Sequence, residues 1–189
     1  MAKAMINSVI LALVTLAMAN AVAGADCYVA DHDSGELRFS GVAEGTPFRG
    51  QFGEFSVRVC MSDDDLASAE IEVTVKTGSA DVGNRDGNQA LKDDEFFAVD
   101  QFPEAQWVST DIVRDGDDYL AEGTLSIKSL ESAQSVTLSL GTDGDSPVLS
   151  GSAEIIRLDW NVGTGEFEDT DFIRERVDLR FNLKLHPED

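Results

Sequence analysis

The sequence predicts an all-β fold, an antiparallel barrel or sandwich with one short helix, on three observations. Apolar and polar residues alternate along most of the chain, which is typical of strands with one face on a core and the other in water. Turn signals built on Gly and Asp separate the alternating segments. No regular succession of strands and long helices occurs, so a parallel sheet is not expected.

Each candidate strand is identified by its apolar members, which share one face. The candidates follow one another at the spacing of an antiparallel sheet. In chain order, their apolar residues are Leu37, Phe39, Gly41 and Ala43; Phe55, Val57 and Val59; Ile71, Val73 and Val75; Tyr119, Ala121, Gly123, Leu125 and Ile127; Val136, Leu138 and Leu140; Ala153 and Ile155; and Val177, Leu179, Phe181, Leu183 and Leu185.

The only segment with a helical composition is 88–97, where Ala90, Leu91, Asp94 and Glu95 favour a short helix. About eight strands and this helix then make up one domain. A closed barrel leaves no unpaired strand edge, and an eight-stranded barrel is just wide enough to hold a slender ligand. Closure therefore favours the barrel over the sandwich.

The first residues predict a cleavable signal peptide over 1–25 and a mature domain over 26–189. Lys3 provides the positive start, an apolar run follows at 9–18, and Ala23, Gly24 and Ala25 fit the small-residue cleavage rule. No later apolar run approaches the roughly 20 residues of a membrane span, so no integral membrane segment is expected. We expect a periplasmic protein.

Export allows Cys27 and Cys60 to form a disulfide, since an oxidising compartment favours the bridge over free thiols. If the chain turns over near Glu44 and Gly45, antiparallel pairing brings Cys27 within a few residues of the position opposite Cys60. One or two bulges could absorb that mismatch. We predict this disulfide as a stabilising element without a catalytic role.

The charge and the missing motifs exclude several function classes. Asp and Glu number 36 against 14 Lys and Arg, a net charge of -22, which disfavours nucleic acids and anionic membrane surfaces. His32 and His186 lie near opposite ends of the mature chain among charged residues, so no Ser-His-Asp or Cys-His arrangement is indicated. We predict no catalytic residues, no metal site and no nucleic-acid partner.

Four sequence blocks follow one another along the mature chain. The most specific is VKTGSADVGNRDGNQALKDDEFFAVDQFPEAQWVS at 75–109. The others are PFRGQFGEF at 47–55, GTLSIKSL at 123–130 and RLDWNVGTGEF at 157–167. Together these blocks resemble the YceI-like family of polyisoprenoid-binding or lipid-binding domains, and the resemblance extends along nearly the whole mature chain.

The resemblance implies a lipocalin-like extended antiparallel β-barrel whose tunnel holds a long isoprenoid chain, in a family with many periplasmic members. The chain departs from the family pattern in two places. Ser129, Leu130 and Glu131 stand where members usually have a Gly-Val-Thr turn, and Phe167 and Phe172 replace the usual tryptophans. The first departure concerns a turn, and the second concerns the fit of a ligand.

We therefore expect an exported, non-enzymatic carrier of a polyisoprenoid lipid or an isoprenoid quinone tail, with no other cofactor. Ordinary core packing is the alternative interpretation of each candidate lining residue. Two other functions stay open: a structural or envelope-stress role without an obligate ligand, and a lipid-acting enzyme using Asp159 or a neighbouring carboxylate as base. A homodimer and a membrane-bound redox partner are also left open. The candidate tunnel-lining residues are Phe39, Phe48, Phe52, Phe55, Phe97 and Trp107.

Overall fold

The structure, a computed structural model, describes residues 25–188. The predicted signal peptide, apart from Ala25, lies outside these residues. Twelve strand segments belong to a single antiparallel sheet. The strands are β1 (Asp26–Asp31), β2 (Gly35–Ala43), β3 (Thr46–Phe52), β4 (Phe55–Ser62), β5 (Asp65–Lys76), β6 (Ala80–Asp81), β7 (Glu104–Asp115), β8 (Asp118–Ile127), β9 (Leu130–Asp143), β10 (Ser146–Ile156), β11 (Arg176–Lys184) and β12 (His186–Pro187).

The sheet curls until it meets itself, which confirms the predicted barrel. From β4 onward the neighbours are β5, β7, β8, β9, β10 and β11. β11 then pairs with β2, while β1, which precedes β2 in the chain, pairs with β4. At the other end of β11 the chain continues into β12, which also pairs with β1.

The first four strand segments form one long bent hairpin that turns at Glu44 and Gly45. Its outer half pairs β2 with β3, and its inner half pairs β1 with β4 after a register shift of two residues. Cys27 lies directly opposite Cys60 in the inner half, and the two form a disulfide. The predicted turn, the small mismatch and the predicted bridge are all present.

Two-residue turns join several neighbouring strands. Gly116 and Gly144 adopt positive φ in the predicted Asp-Gly-Asp turns, a conformation that glycine reaches without a steric penalty. The turn between β8 and β9 consists of Lys128 and Ser129, both with positive φ. Of the three residues that depart from the family pattern, Ser129 lies in the turn, and Leu130 and Glu131 already belong to β9.

The helix prediction over 88–97 was wrong in its bounds. Helix α1 spans Arg85–Ala90. It begins early because the extended residue Asn84 caps it by accepting a hydrogen bond from the Gly87 N–H at 2.7 Å. It ends before the acidic run 93–95, whose charges are unfavourable at the negative end of a helix dipole. Turns occupy most of 91–101.

The residue pattern alone missed β7 and placed the start of β9 too late. β7 contains a bulge between Ser109 and Asp111, which changes the inward phase from Trp107 to Ile112 and breaks the alternation. The early part of β9 carries mostly exposed polar residues, so only its second half, from Val136, shows a clear apolar face.

The two ends of the barrel are filled differently. The end that contains the β4–β5, β7–β8 and β9–β10 turns, which we call the packed end, is filled by buried side chains. These include Met61, Leu66, Ile112, Tyr119 and Leu185. The opposite end is covered by two irregular segments, 77–103 and 157–175. No helix within residues 25–188 has the length and apolar character to cross a membrane.

We predict that replacing both Cys27 and Cys60 by Ala lowers the free energy of unfolding by about 3 to 4 kcal/mol, because the bridge closes a 33-residue separation. Urea denaturation of the variant and of the oxidised wild type measures the difference. Intact mass under non-reducing conditions checks the bridge in the wild type. Equal stability of the two proteins would contradict the prediction.

Candidate functional site

Two apolar cavities lie end to end inside the barrel. The deep chamber, of about 110 Å³, lies between the walls next to the packed end. The outer chamber, of about 380 Å³, extends from there to the covering segments. The chambers have six wall residues in common, so they follow one another along one lumen: Leu37, Val75, Ala105, Leu125, Ile155 and Leu179.

The surface that faces the deep chamber is entirely apolar. Phe55, Trp107 and Phe181 are its aromatic wall residues, and Val73 and Val136 contribute aliphatic wall. Trp107 lies across β8 over Gly123, where any side chain would collide with the indole ring. This arrangement keeps a large ring flat against the wall, which leaves the lumen free.

Aromatic rings dominate the outer chamber. Phe39 contacts both Phe48 and Phe52, with ring centroids 6.4 and 5.1 Å apart, and Phe52 contacts Phe97 at 6.2 Å. The row extends from the β2–β3 hairpin to the segment that follows α1. These contacts lie within the distances at which aromatic pairs attract one another.

The structure places all six sequence-predicted residues in the tunnel wall. Phe55 and Trp107 line the deep chamber. Phe39, Phe48, Phe52 and Phe97 line the outer chamber. Their position is thus established by the geometry, whereas a ligand role for them is a proposal that we make below.

The sequence reasoning missed several wall residues on the covering segments. Phe96, Trp160 and Phe167 line the outer chamber, and the ring of Phe96 packs at a tilt against that of Phe167, with a centroid distance of 4.9 Å. The signal for Phe167 was present, because the residue stood where the family usually has tryptophan. Phe96 precedes Phe97 in a turn, where alternation gives no information about direction.

Arg157 is the main polar residue of the cover, and it is 4% exposed. Its guanidinium donates hydrogen bonds to five backbone carbonyls, at distances of 2.6 to 3.2 Å. The acceptors belong to Val162, Gly163, Phe167, Ile173 and Arg174. Burial lowers the pKa of the Arg157 guanidinium, and the acceptors compensate its charge inside the protein. The side chain therefore holds the loop 162–174 in place.

The two covering segments are also bonded to each other. The Glu95 carbonyl accepts hydrogen bonds from the N–H groups of Gly163 and Thr164, at 2.7 and 2.9 Å. Lys128 Nζ donates to the carbonyls of Asp94 and Asn161, both at 2.9 Å, and so attaches the β8–β9 turn to both segments. The cover is one connected structure.

Helix α1 forms part of the outer wall through Gly87, Ala90 and Leu91. The Asp81 carboxylate anchors it by accepting hydrogen bonds from the Gly83 N–H and from Asn88 Nδ2, each at 2.8 Å. These two donors lower the pKa of Asp81, the first more strongly. Through these hydrogen bonds the Asp81 carboxylate joins β6 to α1 beside the outer chamber.

The remaining candidates for chemistry lie away from the lumen. His32 and His186 are exposed, at the barrel surface. Asp159, the base of the alternative enzyme hypothesis, is exposed on the 3₁₀ helix Arg157–Trp160 and is not part of either chamber wall.

The model of the YceI-like domain matches residues 28–185, which is nearly the whole of the described chain. The chain belongs to the YceI-like family. Its curated relatives include a UPF0312 protein of Pectobacterium atrosepticum, 28% identical over 98 residues, and protein YceI of Salmonella arizonae, 26% identical over 98 residues. Each alignment covers 52% of this chain and 51% of the relative, so the chain spans about half the length of these relatives.

Solved structures share the fold. BcnA of Burkholderia cenocepacia superposes with a TM-score of 0.78 at 25% identity, over 83% of this chain and 99% of BcnA. A domain of Saccharophagus degradans, described as polyisoprenoid binding and implicated in plant cell wall breakdown, superposes with a TM-score of 0.63 at 14% identity. That match covers 85% of this chain and 98% of the domain, and it shows a common fold.

We predict that Arg157→Met lowers the free energy of unfolding by about 3 kcal/mol or more, because five carbonyls lose a buried charged donor. Arg157→Lys should recover only part of the loss, since one ammonium cannot reach all five. Urea denaturation measures the effect, and the exposed Arg180→Met is the control. If Arg157→Met were as stable as the wild type, the proposed stabilising role of the Arg157 hydrogen bonds would be refuted.

We also predict that the Asp81 carboxylate makes folding acid-sensitive. Its pKa is lower in the folded protein, so its stabilising contribution is complete above the unfolded value of about 3.9 and is lost as pH falls through the folded pKa. The urea midpoints of wild type and Asp81→Asn should therefore converge below about pH 4. Asp100→Asn, an exposed change of equal charge, should show no such convergence.

Proposed function

We propose that the protein is an exported, non-enzymatic carrier that holds a long polyisoprenoid chain or the tail of an isoprenoid quinone in its barrel. The observation that supports this function is the pair of end-to-end apolar chambers inside the barrel. A long, slender and apolar ligand matches this lumen. Each five-carbon isoprene unit would gain at most about 4 kcal/mol on burial.

The polarity of the lumen suggests how such a ligand would be oriented. A polar head in the deep chamber would lose its hydrogen bonds to water without replacement, at a cost of roughly 2 to 7 kcal/mol. The outer chamber has polar groups on its wall, among them Asn84 and Thr77. We therefore place the tail in the deep chamber and the head towards the outer chamber.

The location proposed for the carrier is the periplasm. The Cys27–Cys60 disulfide supports this location, because such bridges persist in oxidising compartments. The predicted signal peptide over 1–25 points the same way. If the cargo is a quinone tail, we propose a membrane-bound redox protein as the partner that loads and unloads it.

The relatives support binding rather than a particular ligand. The Saccharophagus degradans domain of the same fold is described as polyisoprenoid binding. The six aromatic residues predicted from the sequence all line the lumen, which is the arrangement that a lipid-binding role requires.

The deciding experiment is native mass spectrometry of the protein purified from an exporting host, followed by solvent extraction and identification of what is released. A stoichiometric long isoprenoid or isoprenoid quinone is the expected result. A barrel that is empty and also takes up neither polyprenols nor quinones would refute the carrier and favour the structural role.

Truncating the aromatic row should weaken lipid binding more than folding. We predict that Phe52→Ala and Phe97→Ala each lower the affinity for a long-chain quinone by ~tenfold, since each loses ring contact with the tail. Quenching of tryptophan fluorescence measures the affinity, because Trp107 and Trp160 line the two chambers.

The matched control is Leu66→Ala, a fully buried residue outside both walls. It should cost about 2 to 5 kcal/mol of stability and leave the affinity of the folded fraction unchanged. If the phenylalanine variants lose stability to the same extent and bind the quinone like wild type, these rings are ordinary core.

A further inference from the structure

The barrel wall is interrupted between β9 and β10. Their ladder runs from Asp143↔Ser146 to Thr137↔Ser152 and stops there. Beyond this point residues 130–136 of β9 continue to pair with β8, and residues 153–156 of β10 continue to pair with β11. We call the stretch between 130–136 and 153–156 the seam.

Side chains hold the seam where the backbone ladder is missing. Gln134 Nε2 donates across it to the Glu154 carbonyl at 3.0 Å, and also to the Ser135 carbonyl at 2.9 Å. From inside the barrel, Trp107 Nε1 donates to the Gln134 carbonyl at 3.0 Å. At the covered end, Lys128 ties the start of β9 to Asn161, just beyond β10.

The seam separates the lumen from a groove on the outer surface. On the inner side, Gln134, Val136 and Ile155 belong to the deep-chamber wall. On the outer side, Ser135, Ser152 and Glu154 line a groove of about 280 Å³. Ala153 and Leu179 belong to both walls, so one layer of side chains divides the chamber from solvent.

A second interruption in the sheet lacks these features. β5 and β7 pair only from Glu72↔Val108 to Lys76↔Glu104, and the Ile71 N–H donates to Ser109 Oγ at 2.8 Å beyond the ladder. Behind this gap lie Leu66 and Ile112, both buried in the packed end. Ile71, at the start of this gap, also lines the deep chamber, but the residues beyond it are packed, whereas at the seam the chamber and an outer groove share wall residues.

We propose that the seam is a lateral passage through which an isoprenoid chain enters and leaves the deep chamber; this inference rests on the proposed carrier function. Separating the strands here breaks side-chain hydrogen bonds, whereas separating any paired part of the wall breaks a backbone ladder. A chain that moves sideways through the seam also avoids being threaded past the row Phe39, Phe52 and Phe97. The Gln134 side chain, which bridges the two strands, is the residue that keeps this passage closed.

The test closes the seam covalently and measures the rate of lipid exchange. Ser135→Cys places a thiol on β9 and Glu154→Cys places one on β10, on either side of the seam. Dibromobimane joins the two thiols while the native disulfide stays oxidised. The matched control joins Ser139→Cys and Ser150→Cys, which face each other in the intact part of the same ladder. Stopped-flow tryptophan quenching follows a long-chain ubiquinone leaving detergent micelles for the protein.

We expect the bridge across 135 and 154 to slow uptake and release by ~tenfold or more, and the bridge across 139 and 150 to leave both rates unchanged. Equal rates with and without the first bridge, or equal slowing by both, would overturn the lateral passage while the carrier function stands. If uncross-linked wild type takes up no ubiquinone or polyprenol, the proposed function fails and the passage with it.

A single substitution tests this role of Gln134 without a cross-link. Gln134→Leu keeps the size of the side chain but removes the amide that bridges to Glu154. We expect exchange to accelerate by ~fivefold, with the ratio of uptake to release nearly constant. An unchanged exchange rate in the folded variant would show that Gln134 does not control the passage.

Discussion

The tunnel depends on one buried cation. Arg157 collects five carbonyls of a loop that has no regular secondary structure over most of its length, and it thereby fixes the position of Phe167 on the outer chamber. A hydrophobic cover would have to fill the space beneath it in order to be stable. A guanidinium with backbone acceptors stabilises the cover from within its own loop, and the space below can stay empty. The stability of the cover therefore does not depend on how tightly the lumen beneath it is packed.

In the whole barrel, too, the part that supplies most of the stability is distinct from the part that encloses the lumen. At the packed end, large side chains from every wall meet and supply the hydrophobic stabilisation, with the disulfide between β1 and β4 nearby. The register shift in the first hairpin lets one pair of long strands bend and contribute to both ends. Closure then spreads the backbone hydrogen bonding around the wall, so the outer half holds its shape without a filled core.

The sequence predicted the parts of this design that depend on alternation. The barrel and most strands follow from period two and from family resemblance, and so does the wall position of six aromatic residues. The disulfide follows from the expected export of the chain and from antiparallel pairing about the turn at Glu44 and Gly45. Alternation does not reveal a strand that contains a bulge. The bulge after Ser109 changes which residues of β7 face inward, so β7 shows no continuous alternation. Alternation is also silent on the cover, because Arg157 acts through backbone carbonyls of a loop and leaves no partner in the sequence. Helix α1 starts at Arg85 because Asn84 caps it, whereas composition predicts a helix that starts only at residue 88.

Sequence cannot separate lining from core because both occupy the inward phase of a strand. At Phe39 and Trp107 the structure shows a distinguishing feature, which is the space left by a glycine on the neighbouring strand. Phe39 lies over Gly50 and Trp107 lies over Gly123, and a side chain at either glycine would collide with the ring. Each ring is therefore flattened against the wall instead of extending to the axis, whereas Leu66 and Met61 at the packed end meet other side chains. At these two positions an inward aromatic residue forms tunnel wall because a glycine on the neighbouring strand leaves room for its ring.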